Sequence, residues 1–354
     1  MKKLKSALNL IFIEGLSGMA LGLFSTLIIG TIIKQIGSYI PGVVGQWLIT
    51  FGTIASGLTG AGIGCGVATK FKKAPLVTVS AAVCGMVGAY ASKLIAGTVI
   101  VEGAVQYVGP GEPLGAYVAA LTGILVGSLV AGKTKLDILL TPFTTIVSGC
   151  VIGIIVGPPI SNLMASLGNI IMVCTEQQPF LMGILVSVLM GMILTLPISS
   201  AAIAVVLNLS GIAAGAATVG CCANMIGFAV ASYKENGIGG LFAQGIGTSM
   251  LQVPNIFKKP VIWLPAIITS AILGPISTCL LGMTDNPTGA GMGTSGLVGQ
   301  LMTYQDMVAN GAAPVVVIIE IVVMHFILPG VLAFVISEFM RKKGIIKNGD
   351  MKLE

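Results

Sequence analysis

Seven polar side chains fall within 17 positions at Thr284, Asp285, Asn286, Thr288, Thr294, Ser295 and Gln300, in the stretch MTDNPTGAGMGTSGLVGQ (283–300). Together they offer the donors and acceptors that a sugar needs, since each hydroxyl taken out of water must be paired again. Asp285 has three readings: it orients a hydroxyl, acts as a base, or sits as a solvated acid at a loop end. The stretch also holds five glycines, three of them (Gly291, Gly293 and Gly296) spaced as G-x-G-x-x-G. A dinucleotide site needs that pattern between a strand and a helix of a βαβ unit, and the flanks here are long apolar runs instead. Two readings remain. The glycines expose backbone N–H groups at the start of a half-helix, which favours an anion or a sugar hydroxyl, or they form a face for close helix packing.

Two ionisable residues, Glu320 and His325, lie inside the apolar run VVVIIEIVVMHFILPG, and His325 is the chain's single histidine. Ionisable groups at such a depth are costly and usually face the protein interior or a water-filled cavity. Five helical positions separate them by ~140° about the axis, so they share a face only loosely. They serve either as a proton-handling or substrate-orienting pair, or as polar contacts between helices. Earlier, Thr195-Leu-Pro-Ile-Ser-Ser200 breaks an apolar run at Pro197 and presents Ser199 and Ser200, with Asn208 and Asn224 following in apolar surroundings. They would line a cavity for a polyol or bond helix to helix. There is no P-loop, no nucleophile–histidine–acid arrangement and no metal-ligand cluster. Neither a cofactor nor ATP hydrolysis by the chain itself is implied.

These residues need elements to hold them, and composition says which. Of 354 residues, 55% are hydrophobic and 8% charged, against about 25% charged in a soluble domain. Mean hydropathy is +1.02. This is the composition of an all-α polytopic membrane protein, with room for about ten transmembrane segments at ~20 residues each. Among 49 glycines, several stand at small-xxx-small spacing: Gly18/Gly22, Gly60/Gly64, Gly62/Gly66 and Gly211/Gly215. That spacing lets helix backbones approach closely in lipid. The net charge of +6 concentrates at Lys2, Lys3 and Lys5 and at Arg341, Lys342, Lys343 and Lys347. It reads as cytoplasmic flanks of a multi-pass protein under the positive-inside rule, and not as a nucleic-acid surface. The seven cysteines lie mostly in apolar runs without zinc-finger or C-x-x-C spacing and read as packing residues. Glu14 interrupts the apolar start and no cleavage site follows, so the first run is a retained span. Lys34 and Lys93 are placed to snorkel towards the outer face.

In order, spans are expected at about 16–36, 43–68, 76–95, 114–131 and 138–156, the last ended by Pro158-Pro159. Residues 160–174 either cross or lie at the surface. Further apolar segments cover 180–196, 201–231, 261–281 and 313–336. Residues 239–253 are too short and glycine-rich to cross and read as re-entrant or interfacial. Placing every Lys/Arg cluster inside puts both termini in the cytoplasm and requires 160–174 to cross. The chain reads as one integral membrane domain, 1–354, with a cytoplasmic tail at 341–354. FKKAPLVTVSAAVCGMVGA (71–89) resembles FKKPVIWLPAIITSAILGP (257–275), and 112–127 resembles 286–300 in its Pro-x-Gly-Ala start. This suggests repeat halves at 1–178 and 179–340, with the substrate role specialised in the second.

The blocks TLPISSAAIAVVLNLSGIAAGAATVGCCANMIGFAVASYKENG, VPNIFKKP and TDNPTGAGMGTSGLVGQ resemble the EIIC-type membrane proteins of the bacterial phosphotransferase system. The resemblance is closest to a toxin-regulator subgroup described as perfringolysin-regulator-like (PfoR-like), and it covers nearly the whole chain. It implies a homodimeric permease for a sugar or similar small polar solute, in the cell membrane. With no such domain fused to this chain, either separate EIIA and EIIB subunits would deliver the phosphoryl group or this subgroup does not phosphorylate its solute. Relatives use a glutamate and a histidine near the sugar, to which Glu320 and His325 are a suggestive parallel without a matching motif. Two alternatives stay open: a membrane-embedded sensor or regulator that keeps the fold, and an ion- or proton-coupled carrier without phosphoryl transfer.

Overall fold

The computed structural model describes residues 10–101, 104–107 and 109–353, so the lysines at 2, 3 and 5 lie outside the described residues. The chain divides into two compact units, Met1–Leu163 and Met164–Glu354.

The first unit begins with α1 (Leu10–Tyr39), then α2 (Val43–Gly57) and α3 (Thr59–Lys70). The helix α4 (Pro75–Ala89) follows, with a proline in its first turn, where no N–H is needed. A short hairpin pairs β1 (Ile100–Val101) with β2 (Ala104–Val105), and α5 (Pro113–Val130) comes next. Close packing is carried by the spaced glycines. A Cβ on Gly22 of α1 would sit 2.1 Å from the carbonyl oxygen of Gly62 on α3, and one on Gly64 of α3 would sit 2.1 Å from that of Ala81 on α4. Backbones this close gain dispersion contacts that burial from lipid alone would not provide.

Two sequence expectations fail in this half. The single span at 43–68 is a broken pair, bent by 56° between α2 and α3. Leu58 leaves helical geometry there (φ −89°, ψ 13°), and the bend lets Gly60 and Gly64 reach Gly85 and Ala81 of α4. Nor do Pro158-Pro159 end the fifth span. The helix α6 (Asp137–Thr175) runs through Pro142, Pro158 and Pro159 for 39 residues, about 58 Å at 1.5 Å per residue. A proline removes one donor and strains the preceding turn, but its φ is helical. In lipid, any other conformation would orphan more backbone groups. Residues 160–174 therefore continue α6 and form no separate crossing, so the placement of every Lys/Arg cluster inside loses the crossing that it required.

The second unit is built around α9 (Gly211–Ala231). Its apolar window is 89% buried, against 22% for α6, whose Ile138, Leu139 and Phe143 face outward as lipid-facing side chains do. Before it come α7 (Pro179–Thr195) and the short α8 (Ser200–Val206). After it come α10 (Tyr233–Phe242), α11 (Pro260–Leu281), α12 (Val298–Ala309) and α13 (Pro314–Lys342). The apolar segment expected over 201–231 is thus two helices. Asn208 in a left-handed conformation (φ 49°) and Gly211 (φ 63°) turn the chain between α8 and α9. Residues 239–253 are indeed short pieces: the end of α10, the turns Ala243–Gly247 and Ser249–Gln252, and the start of Val253–Lys258.

Helices α7, α9 and α11 approach closely at small residues. Gly274 lies against the Gly183 carbonyl, Gly220 lies against the Ser187 carbonyl, and Ser187 Oγ donates to Ser270 O at 2.8 Å. The tail beyond α13 folds back onto α10. Glu235 pairs with Arg341 at 3.0 Å and accepts the N–H groups of Gly349 and Met351, while Lys259 pairs with Asp350 at 2.6 Å.

Among the described residues, six helices are long and apolar enough to cross a membrane, the bent pair α2/α3 makes a seventh, and α4 and α7 are shorter apolar helices. The protein is an all-α, multi-pass membrane protein.

Candidate functional site

The site grows from two breaks in the second unit. Gly282 ends α11 in the left-handed conformation (φ 59°), as a helix C-terminus requires of a residue without Cβ. The chain then runs past α9. Met283 is buried against Gly215, and Asp285 forms a two-residue antiparallel bridge with Gly211, its N–H donating to Gly211 O at 3.3 Å and its carbonyl accepting from Gly211 N at 3.0 Å. The two irregular segments thus touch at their tips. They touch again where Ser200 Oγ donates to Gly291 O at 2.7 Å.

Asp285 is fully buried. Its carboxylate contacts the Thr218 hydroxyl of α9, the Thr303 hydroxyl of α12 at 3.1 Å and the N–H of Asn286 at 2.7 Å. Asn286 folds the next turn by accepting from the N–H groups of Thr288 (3.0 Å) and Gly289 (3.2 Å). A Cβ on Gly289 would meet both Asp285 carboxylate oxygens at 2.4 Å, so glycine is needed for the acid to fit. Thr284 donates to Asp306 at 2.5 Å, which ties the start of the segment to α12.

The G-x-G-x-x-G glycines turn out to serve packing. A Cβ on Gly291 would strike Ser200, one on Gly293 would strike Cys221 of α9, and Gly293 and Gly296 both have positive φ. Thr294 donates to Gly245 O, which fixes the segment to the turn Ala243–Gly247. Then α12 begins, with no side chain capping its first N–H groups.

Beyond that point the polar groups are not all satisfied. Gln300 Nε2 lies 3.3 Å from Cys222 Sγ and 3.2 Å from His325 Nδ1. An amide NH2 only donates, so Nδ1 accepts and the neutral ring carries its proton on Nε2. His325 stands in a π-helical stretch, Val322–Ile327, within α13, a distortion that recurs at functional sites. Among the described residues, the buried atoms without a hydrogen-bond partner include Ser295 Oγ, Gln300 Oε1 and His325 Nε2. Each such group costs about 1–3 kcal/mol if left unpaired, so the arrangement is suited to receive hydroxyls or water.

The other expected residues stand differently. Asn224 is fully buried with all four valences used: it donates to Gly220 O and Ser270 Oγ, and accepts from Thr195 Oγ1 and Trp263 Nε1. It bonds α7, α9 and α11 together. Asn208 and Thr288 are exposed in turns, and Ser199 caps α8 by accepting from Ala202 N at 3.3 Å. Glu320 is half-buried on α13 with Oε2 unpartnered. Sequence reasoning missed Thr218, Thr303 and Asp306. In sequence Thr218 is one more small residue in an apolar run, and no periodic signal marks an element over 301–312.

A family model described as Phosphotransferase system, EIIC, matches residues 13–353. No curated protein matches the chain.

Proposed function

Since this chain belongs to the EIIC family of the phosphotransferase system, the membrane component that works with the system's other proteins, we propose that it is a permease subunit for a neutral, hydroxyl-bearing solute such as a sugar. The solute binds between the start of α12 and the π-helical turn of α13. The observation that carries this reading is the buried set Ser295 Oγ, Gln300 Oε1 and His325 Nε2 without partners. Gln300 Oε1 accepts, His325 Nε2 donates and Ser295 does either, which is the alternation a polyol presents. No cationic side chain is among them, so a neutral solute suits them better than an anion. Asp285, Asn286, Thr288, Thr294 and Ser200 shape the segment that carries these groups. Glu320, five residues before His325, lies further along the same helix, and Ser199, Asn208 and Asn224 are assigned to turns and helix packing.

In this reading the subunit sits in the bacterial cytoplasmic membrane as a homodimer, with the basic tail after α13 inside. Separate EIIA and EIIB proteins supply the phosphoryl group, and the two repeat halves, 1–178 and 179–340, differ in that only the second binds solute. The toxin-regulator subgroup would keep the same solute site and use it for sensing.

The test is a thermal-shift screen of the purified protein against neutral sugars, sugar acids and other small polar solutes, followed by uptake into proteoliposomes with and without phosphorylated partner. A neutral polyol should stabilise the native protein and not the Gln300→Leu variant, and uptake should need the phosphoryl donor. Stabilisation by anions alone, or uptake driven by a proton gradient with no effect of the donor, would sink the reading.

A further inference from the structure

We infer that Asp285 is a proton-binding site whose protonated form locks the two broken segments of the second unit together. Three observations carry this. The carboxyl is fully buried, and among the described residues no lysine or arginine forms an ion pair with it. An unpaired charge at this depth is strongly unfavourable, whereas a carboxylic acid is a neutral group with one O–H to place.

The hydrogen-bond geometry offers that O–H a partner. Thr218 Oγ1 lies 3.0 Å from Ala214 O, one turn back on α9, and also contacts Asp285 Oδ2. A hydroxyl has one proton. With it donated to the Ala214 carbonyl, the contact with Oδ2 is completed by a proton on the carboxyl, donated to a lone pair of Thr218 Oγ1. Oδ2 keeps a lone pair for Thr303 Oγ1 at 3.1 Å, and Oδ1 accepts from Asn286 N at 2.7 Å. All of these bonds are then made by a neutral residue.

The location gives the proton a consequence. Asp285 is the residue whose backbone bridges Gly211, so it stands where the tip of the segment before α9 meets the tip of the segment after α11. Loss of the proton leaves a carboxylate that needs water, and water reaches it when the tips part. The titratable groups facing it are Asp306 on α12 and Cys221 and Cys222 on α9. The 207–211 turn brings no charged side chain, and His325 on α13 is engaged with Gln300. Asp306 is itself bonded by Thr284 and Asn310, and being an acid it adds to the cost of ionising Asp285.

The inference stands whatever the solute, and infrared spectroscopy tests it without one. A protonated carboxyl gives a carbonyl-stretch band, separate from the carboxylate bands, that shifts when H2O is exchanged for D2O. The band is expected in the purified protein at neutral pH, lost in Asp285→Asn and kept in Glu320→Gln. Its absence from the native protein, or its survival in Asp285→Asn, overturns the inference. Should Asp285→Asn fail to fold, Thr218→Val removes the acceptor of the proton. The band should then move to the position of a less strongly bonded acid, and an unmoved band overturns the assignment.

Discussion

At the scale of the residue, the second unit separates polar groups that hold the protein together from those left open. Asn224 belongs to the first kind, since it joins three helices and has nothing spare. Replacing it by Ala strands Trp263, Thr195 and Ser270, and we expect a loss of about 1–2 kcal/mol, given the modest worth of such bonds in membranes. Thermal unfolding in detergent measures it, and a changed Trp263 emission should accompany the loss. Gly289 shows the same logic through space. A methyl group there meets both oxygens of Asp285, so Gly289→Ala should destabilise by about 1–3 kcal/mol, as overpacking does. At Gly239 an added Cβ would find nothing within 4 Å, and Gly239→Ala should leave the melting temperature unchanged.

At the scale of the element, breaks decide more than spans. The bend at Leu58, the turn at Asn208 and the irregular run after Gly282 all interrupt apolar sequence, yet Pro158-Pro159 does not. A proline strains a helix without forbidding it, whereas a left-handed residue reverses the local direction of the chain. This predicts that α6 crosses once. Single cysteines at positions 133 and 177, in a cysteine-free background, should react with an impermeant maleimide from opposite faces of the membrane. Reaction from the same face would show that the helix breaks after all and that 160–174 returns.

At the scale of the whole molecule, the tail beyond α13 is part of the second unit and not a loose basic extension. Asp350 sits in its clasp. Partial burial would raise its carboxyl, but the hydrogen bond from Lys259, the Lys347 N–H and the nearby charges of Lys259 and Arg341 outweigh that and hold it below the usual aspartate range. Since the folded form binds its proton less readily than the unfolded chain, the contribution is complete above the unfolded value of ~3.9 and is lost as pH falls through the lower folded value. The melting temperature of the native protein should therefore drop more steeply below pH ~4 than that of Asp350→Asn. Parallel curves would mean that the clasp adds nothing.

Much of this was legible from residue types alone. The scarcity of charge determined a multi-pass helical membrane protein, because lipid admits few unpaired charges and leaves no backbone group unbonded. Glycine spacing marked the contacts of α1, α3 and α4, and the polar run at 283–300 marked where the backbone would be irregular. Tertiary structure decided which of those polar groups are spent and which are open. Asn224 and Gln300 are both amides in apolar surroundings, and only their neighbours distinguish them. The partners that matter to Asp285, Gly211 and Thr218, lie 74 and 67 positions earlier in the chain. Hydrogen bonding is a matter of a few ångströms in space, and spacing along the chain does not carry it across helices.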